Sequence, residues 1–333
     1  MKKHLLLYAS IWCAMFIFTA NNAGAAAPTV SKSYAEIIWK VEELTLVALL
    51  DAPSAMPTAL FNGPADAEER AKYFPGGKAA ASVNAFLIRT GGAHNMNILI
   101  DAGYGKPMAK ESKLPEALKA LGIEPKDIDL ILLTHMHPDH IGGLLNENLQ
   151  DNSPAFSRAK ILVAAKELDY WLNLAKTQPD NANAAQVMAV TRAYGDKILQ
   201  PFAFGVYLGP LRQSAEVQAA AKVEQTLAIK TLDATGHTPG HTVFQLEKNG
   251  QKLLIIGDLV HAVDLQFAIP EECPTFDLDK AAAIASRRRI LDLAAGEHIQ
   301  IAGMHIPFPG TGLVEKVGGG YRLLKCYQVQ RQD

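Results

Sequence analysis

Between Thr134 and Gly143 the chain reads Thr-His-Met-His-Pro-Asp-His-Ile-Gly-Gly, which puts three histidines and an aspartate within six residues. Neutral imidazole is a preferred ligand for zinc and its first-row neighbours, and a carboxylate adds a hard anionic oxygen. A polar strand-to-helix turn with Asp139 as N-cap would use one of these side chains, not four. Metal binding explains the whole group. His135 and His137 stand two apart, so an extended backbone aims both the same way. Asp139 and His140 come from the turn and face a second position nearby, a geometry that fits two metals better than one.

Three further residues sit where such a centre needs them. His237 and His305 each follow a short apolar run and lie in glycine-containing turns, while Asp258 ends the run Leu253-Leu254-Ile255-Ile256-Gly257. Glycine beside a ligand lets the backbone turn sharply and approach closely. Ligands on rigid strand ends are also better held than ligands in mobile loops. Taken singly, His237 and Asp258 are more often turn residues than ligands, and His305 is as readily one as the other. Their common position after strands is what raises them.

The elements that must position these residues are legible from residue 81 onward. Residues 83–88 and 98–100 read as neighbouring strands linked by a turn containing Gly91-Gly92. Residues 113–121 read as a helix, and residues 128–133 as the strand that delivers the first cluster. A strand at 161–164 precedes helical segments at 166–174 and 180–198. Residues 227–232 lead as a strand into Gly236-His237, and strands at 243–246 and 253–256 flank Asn249-Gly250, a strong hairpin signal. A long helix at 278–295 carries Arg287-Arg288-Arg289, read as a solvated face or a salt-bridge site. The strand 299–302 precedes His305. Residues 26–80 are the least legible: 41–50 suits a strand, and 53–75 a long loop with a short helical segment. Strand and helix runs alternate in both halves with no linker between two cores, so 26–333 reads as one domain with its motifs in 81–310.

Composition narrows the partners. The 333 residues are 49% hydrophobic and 20% charged with a formal net charge of −2, ordinary for a folded globular protein. There is no long basic block, which argues against nucleic acid as partner and against polyanionic substrates such as RNA. The N-terminus has a short positive region (Met1-Lys2-Lys3-His4), an apolar run at 5–18 and a small-x-small site, Ala23-Gly24-Ala25. That is the layout of a cleavable signal peptide over 1–25, too short for a comfortable membrane span, and it predicts a periplasmic or secreted protein. Cys273 and Cys326 then remain, read as packing residues or one optional disulfide. His94 and His298 read as surface residues, and His261 is assigned no role.

The series His135-Met-His137-Pro-Asp139-His140, His237, Asp258 and His305 resembles the metal-ligand signature of the metallo-β-lactamase superfamily. Asp101, in Leu99-Ile100-Asp101-Ala102-Gly103, resembles that family's first motif. Within the superfamily the chain is most similar to the methyl parathion hydrolase group with its lactonase and arylesterase relatives. Gly236-His-Thr-Pro-Gly-His-Thr242, Gly257-Asp258-Leu259, Val263-Asp-Leu-Gln-Phe267, His305-Ile-Pro-Phe-Pro-Gly310 and Gly319-Gly320-Tyr321-Arg322 carry that likeness. It implies an αββα four-layer sandwich, two mixed sheets flanked by helices. It implies two zinc ions per chain, one on His135, His137 and His237, the other on Asp139, His140 and His305, with Asp258 bridging.

The same resemblance implies a hydrolase in which a hydroxide shared by both metals attacks a lactone, an aryl ester or an organophosphate triester. Such substrates are small and uncharged. Asp258 and Asp139 are the carboxylates expected to serve catalysis, Asp139 also as proton donor to the leaving group. Asp101 and His241 are expected behind the ligands, orienting them, and Trp171 and Phe267 in the substrate pocket. The relatives suggest a homodimer. Alternatives that reuse these ligands are a mononuclear iron persulfide dioxygenase, a glyoxalase-type thioester hydrolase, a β-lactamase and a silent binding protein; metal content and a substrate panel discriminate them.

Overall fold

The continuous apolar runs of the sequence are strands covered on both faces, and this decides the architecture. A computed structural model describes residues 35–92, 95–105, 112–146, 153–205, 207–208 and 227–324. The expected signal peptide, His94 and Cys326 lie outside the described residues. The first sheet has the order β1 (Ala35–Val41), β2 (Leu44–Pro57), β4 (Lys78–Arg89), β5 (Asn97–Ile100), β6 (Leu130–Leu132), β7 (Lys160–Ala164), β8 (Leu199–Phe202). It is antiparallel as far as β5 and parallel from β5 to β8. The second has the order β16 (Gly320–Leu324), β15 (Thr311–Val317), β14 (Gln300–Ala302), β12 (Gln251–Ile255), β11 (Thr242–Lys248), β10 (Ala228–Asp233), β9 (Tyr207–Leu208). Only its β12–β14 pair is parallel.

Alternate residues of each central strand enter different cores, as the pleat requires. Phe86, Ile88, Ile98, Ile100, Leu130 and Leu132 of the first sheet meet Phe244, Leu246, Leu253 and Ile255 of the second. Their neighbours Ala85, Leu87, Leu99, Ile131, Ile161 and Val163 face the opposite way. There they pack under the helices α2 (Leu114–Ala120), α4 (Ala165–Thr177) and α5 (Ala182–Ile198). On the far side Leu254 and Ile301 pack under α6 (Val263–Ala268) and α7 (Lys280–Gly296), against Phe267, Ile290 and Leu291. The result is helix, sheet, sheet, helix, the expected four-layer sandwich with mixed sheets.

Local chemistry sets the boundaries. Asn249 (φ 52°) and Gly250 (φ 74°) both take positive φ in the β11–β12 hairpin, the signature of a type I′ turn. Asn181 caps α5 through the Ala184 N–H, and Asp279 caps α7 through the Ala282 N–H. The long helix therefore begins at 280, not 278. The larger correction concerns the segment before 81. β2 runs on to Pro57 through both Pro53 and Pro57, where a loop was expected. Among the described residues β1 pairs with β2 only as far as Leu49, so Pro53 and Pro57 fall on the stretch of β2 that pairs with β4 alone, where proline is tolerated. The rest of the segment holds β3 (Phe61–Asn62), which pairs with β13 (Cys273–Pro274), and the short helix α1 (Ala67–Ala71). No helix among the described residues is long and apolar enough to cross a membrane.

Candidate metal centre

All seven expected ligands meet at one edge of the sandwich, each delivered by the end of a strand. After β6, His135 and His137 point one way while Met136 between them is buried in the helix-side core. Pro138 then opens α3 (Pro138–Ile141), whose first turn supplies Asp139 and His140. The end of α3 lies directly on the loop after β5: a Cβ at Gly142 would sit 1.8 Å from the Tyr104 carbonyl oxygen, and one at Gly143 2.1 Å from that of Ala102. Only glycine permits that approach. His237 comes from the β10–β11 turn, Asp258 from the end of β12 and His305 from the turn after β14.

The inward atoms crowd together. His137 Nδ1 lies 3.0 Å from His135 Nε2 and 2.9 Å from His237 Nε2. Asp258 Oδ2 lies 3.3 Å from His237 Nε2 and 3.6 Å from His135 Nε2. On its other side His305 Nε2 stands 3.0 Å from Oδ2, and His140 Nε2 3.2 Å from Oδ1. Asp139 closes that half, 3.3 Å from His305 and 3.7 Å from His140. Two groups suited to a metal result, His135–His137–His237–Asp258 and Asp139–His140–Asp258–His305, with Asp258 common to both.

The outward nitrogens show why these atoms want a cation. His140 Nδ1 is 2.7 Å from Asp101 Oδ2, His237 Nδ1 2.8 Å from Asp277 Oδ1, and His305 Nδ1 3.0 Å from the Ser82 carbonyl. His135 Nδ1 meets Thr134 Oγ1 at 3.1 Å, and that hydroxyl donates its own proton to Asp101 Oδ2. Each partner is an acceptor, so each outer nitrogen carries the N–H and each Nε2 presents a lone pair inward. Inside the buried cluster His140 Nε2 and Asp258 Oδ1 have no hydrogen-bond partner. Imidazole nitrogens and carboxylates converging in a buried space, two of them without a hydrogen-bond partner, fit a metal centre of His and Asp ligands.

Electrostatics agrees. Burial holds His135 and His137 well below the ordinary histidine range, with neighbouring imidazoles adding to the effect. Burial acts the same way on His237 and His305, but the hydrogen bonds to Asp258 and Asp277 raise the first to about 9, and Asp258 with Asp139 raises the second to about 10. Against the effect of burial, the three carboxylates Asp258, Asp139 and Asp101 push His140 well above its usual value. The carboxylate side of the centre thus demands positive charge, which protons or metals can provide.

Asp101 and His241 stand behind the ligands as expected. Asp101, itself at φ 57°, accepts from the Thr134 N–H and hydroxyl and faces His140. His241 Nε2 accepts the Asp258 N–H at 2.9 Å while Nδ1 faces the Ala234 carbonyl. Burial lowers His241 to about 3, which keeps the ring neutral and able to accept. Trp171 is buried beside His137, ring centroids 5.6 Å apart, with its indole N–H given to Glu167.

Phe267 is a correction. It is packed in the core beneath α6 and α7 with Tyr321 and Ile290, because α6 turns that face away from the ligands. Phe276 takes the aromatic place instead, its ring 5.8 Å from His237 and 5.0 Å from His261.

Several residues of the site carry no local signal in the sequence. His261 Nε2 is 3.1 Å from Asp258 Oδ2, and its ring stacks on His305 at 4.9 Å. Its place three residues past Asp258 was the only hint. Glu167 accepts from the Met136 N–H and Trp171 indole on one oxygen, and from Thr238 Oγ and the Gly240 N–H on the other. One carboxylate therefore ties both histidine loops together. Arg287 is fully buried, not part of a solvated face, and contacts Asp277. Arg288 pairs with Glu271, and Arg289 donates to the Asp233 carbonyl. His298 is exposed as expected, and Cys273 is a free, buried thiol.

A family model described as the metallo-beta-lactamase superfamily matches residues 80–298. Among solved structures, a hydrolase named AbOPH and described as in the beta lactamase superfamily is 27% identical, with a TM-score of 0.71 over 88% of this chain and 97% of that one. AidC, described as a dizinc quorum-quenching lactonase in complex with a product, is 24% identical with a TM-score of 0.71, covering 87% of this chain and 97% of its own. An N-acyl homoserine lactone hydrolase is 17% identical with a TM-score of 0.53 over 80% and 94%. At these last two identities the likeness is one of fold.

Proposed function

Because this chain belongs to the metallo-β-lactamase superfamily and is a metal-dependent hydrolase of that fold, we propose that it is a secreted dinuclear zinc enzyme acting on lactones and aryl esters, with organophosphate triesters as a further substrate class. The observation that carries the reading is the pair of four-ligand groups sharing Asp258. Bound zinc supplies Lewis acidity toward a carbonyl or phosphoryl oxygen and lowers the pKa of water from 15.7 to about 7. His135, His137 and His237 would hold the first ion, Asp139, His140 and His305 the second, and Asp258 both.

The chain's own residues do the rest. His135 and His137 stay neutral, so the first position keeps its electrophilic character, while Asp139 adds negative charge only at the second. Asp139 is partly open to solvent, its side chain 17% exposed, and its carboxylate is assigned the role of passing a proton to a departing oxygen. Phe276 and Trp171 flank the histidines with apolar rings, which suits an uncharged substrate. The lactone activities named for AidC and the N-acyl homoserine lactone hydrolase support the choice of lactones.

Purified protein carrying about two zinc per chain, and hydrolysing lactones and aryl esters in preference to β-lactams, glutathione thioesters and persulfides, is the expected result. One iron per chain with oxygen uptake on persulfides would overturn it. Asp139→Asn is expected to depress turnover more for poor leaving groups than for nitrophenolate-like ones; equal losses would remove the proton-transfer role. Export is read from the N-terminal sequence of the mature protein, expected to begin after residue 25. Sedimentation tests the homodimer.

A further inference from the structure

We infer that Asp277 and Arg287 form a buried positioning chain that sets the metal affinity of the His237 half of the centre. The inference rests on the dinuclear reading above and extends it to residues on the opposite side of the ligands. Asp277 Oδ1 lies 2.8 Å from His237 Nδ1, and Asp277 Oδ2 lies 3.4 Å from the Arg287 guanidinium. Both side chains are shut away from solvent. Asp277 therefore fixes the imidazole with its N–H outward and its Nε2 lone pair toward the centre, and its charge makes that nitrogen a better donor to a metal.

Arg287 holds the same region from behind. Its Nε donates to the Leu259 carbonyl at 2.6 Å, and one terminal nitrogen donates to the Pro270 and Glu272 carbonyls at 2.6 and 3.2 Å. Leu259 directly follows Asp258, so one side chain of α7 braces the segments behind both His237 and the shared carboxylate. The backbone adds two ties, Leu278 N–H to the His237 carbonyl at 3.2 Å and Asp279 N–H to the Gly236 carbonyl at 2.9 Å. A Cβ at Gly236 would lie 2.1 Å from the Ala283 nitrogen, so the histidine turn rests directly on α7. A fully buried guanidinium whose donors go to loop carbonyls and to a carboxylate on a ligand has little reason to be there except to hold that ligand. His140 and His305 have no link to this chain; their outer nitrogens go to Asp101 and Ser82.

The two halves of the centre should therefore separate experimentally. Asp277→Asn keeps the shape and removes the charge, and Arg287→Met keeps much of the bulk and removes the fork. Metal-free protein is titrated with zinc against a competing chelator, and the cobalt-loaded protein is followed by its visible spectrum. In Asp277→Asn one of the two binding steps is expected to weaken about 10- to 100-fold while the other keeps its wild-type affinity, and Arg287→Met is expected to weaken that same step at least as much. The cobalt bands of the affected position should shift. Two unchanged steps in folded Asp277→Asn overturn the inference, as does equal weakening of both steps alongside a lowered Tm. Should Arg287→Met fail to fold, the isosteric Asp277→Asn decides alone. Wild-type protein that takes up no metal would instead defeat the dinuclear reading itself.

Discussion

Asp258 stands within 3.0 to 3.6 Å of five imidazole nitrogens, those of His305, His261, His140, His237 and His135, the first being the closest and the last the farthest. Burial favours its neutral form, but the charges of His140 and His305 overcome this and hold the carboxyl well below the ordinary range. Replacing it by asparagine keeps the volume and removes the shared anion. Asp258→Asn is expected to lower metal content from about two per chain to one or less, read by elemental analysis of gel-filtered protein. A second residue offers a test against pH. Asp51 is buried beneath Gly103, where its carboxylate takes the Tyr104 and Leu114 N–H groups and the Ser112 hydroxyl. Burial raises its pKa above the ordinary 3.8 despite those bonds. The folded state then binds the proton more tightly than the unfolded chain, so this contribution is fully present below about pH 3.8 and is lost as pH rises through the folded value. The stability difference between wild type and Asp51→Asn should shift against wild type as pH rises from 3.8 toward neutrality, measured by denaturant unfolding at each pH.

At the scale of elements, the centre depends on loops that touch without side chains between them. The turn after β5 and the end of α3 meet through Gly142 and Gly143, and the Ala102 N–H bonds to the His140 carbonyl at 2.8 Å. Gly142→Ala places a methyl group on the Tyr104 carbonyl and must push the two apart. It is expected to cost about 1–3 kcal/mol in unfolding free energy and to weaken metal uptake through Asp139 and His140; unchanged chevrons and metal content would refute this. The elements themselves were largely readable. The β11–β12 hairpin announced itself through Asn249-Gly250, and the strand before His135 through its apolar run. The extension of β2 beyond Leu50 is not legible, because Pro53 breaks a central strand and no local pattern shows which stretch of a strand pairs with one neighbour alone.

At the scale of the molecule, the ligands come from both sheets. His135, His137, Asp139 and His140 follow strand β6 of one, while His237, Asp258 and His305 follow strands β10, β12 and β14 of the other. The sheets are also joined by the Asn84 side chain of β4, which donates to the Gly303 and Ile306 carbonyls around His305. Metals binding there bind only the folded chain, since the ligands are scattered in the unfolded one. Metal therefore adds stability by mass action, about 4 kcal/mol when free metal exceeds Kd a thousandfold. Chelation is expected to lower Tm and re-addition of zinc to restore it, followed by calorimetry. A Tm indifferent to chelator would show that the centre forms without contributing to the fold.

By itself the sequence picked out the side chains that the structure gathers into two groups suited to a metal. Histidine and aspartate at fixed spacing after apolar runs are a local pattern, and His135, His137, Asp139, His140, His237, Asp258 and His305 all lie where that pattern puts them. Only the tertiary structure decided what stands behind and beside them. His305 is steered by a carbonyl 223 positions away at Ser82, and His237 by Asp277, 40 positions on. It also chose Phe276 over Phe267 for the aromatic neighbour, brought His261 onto His305, and buried Arg287 while leaving Arg288 and Arg289 at the surface. The reason is physical. Ligand chemistry follows from residue type and the period of the backbone, which a linear chain displays. The second partner of a ligand, and the face on which an aromatic ring lands, follow from how two sheets and their helices pack, and contacts between distant segments leave no period in the sequence.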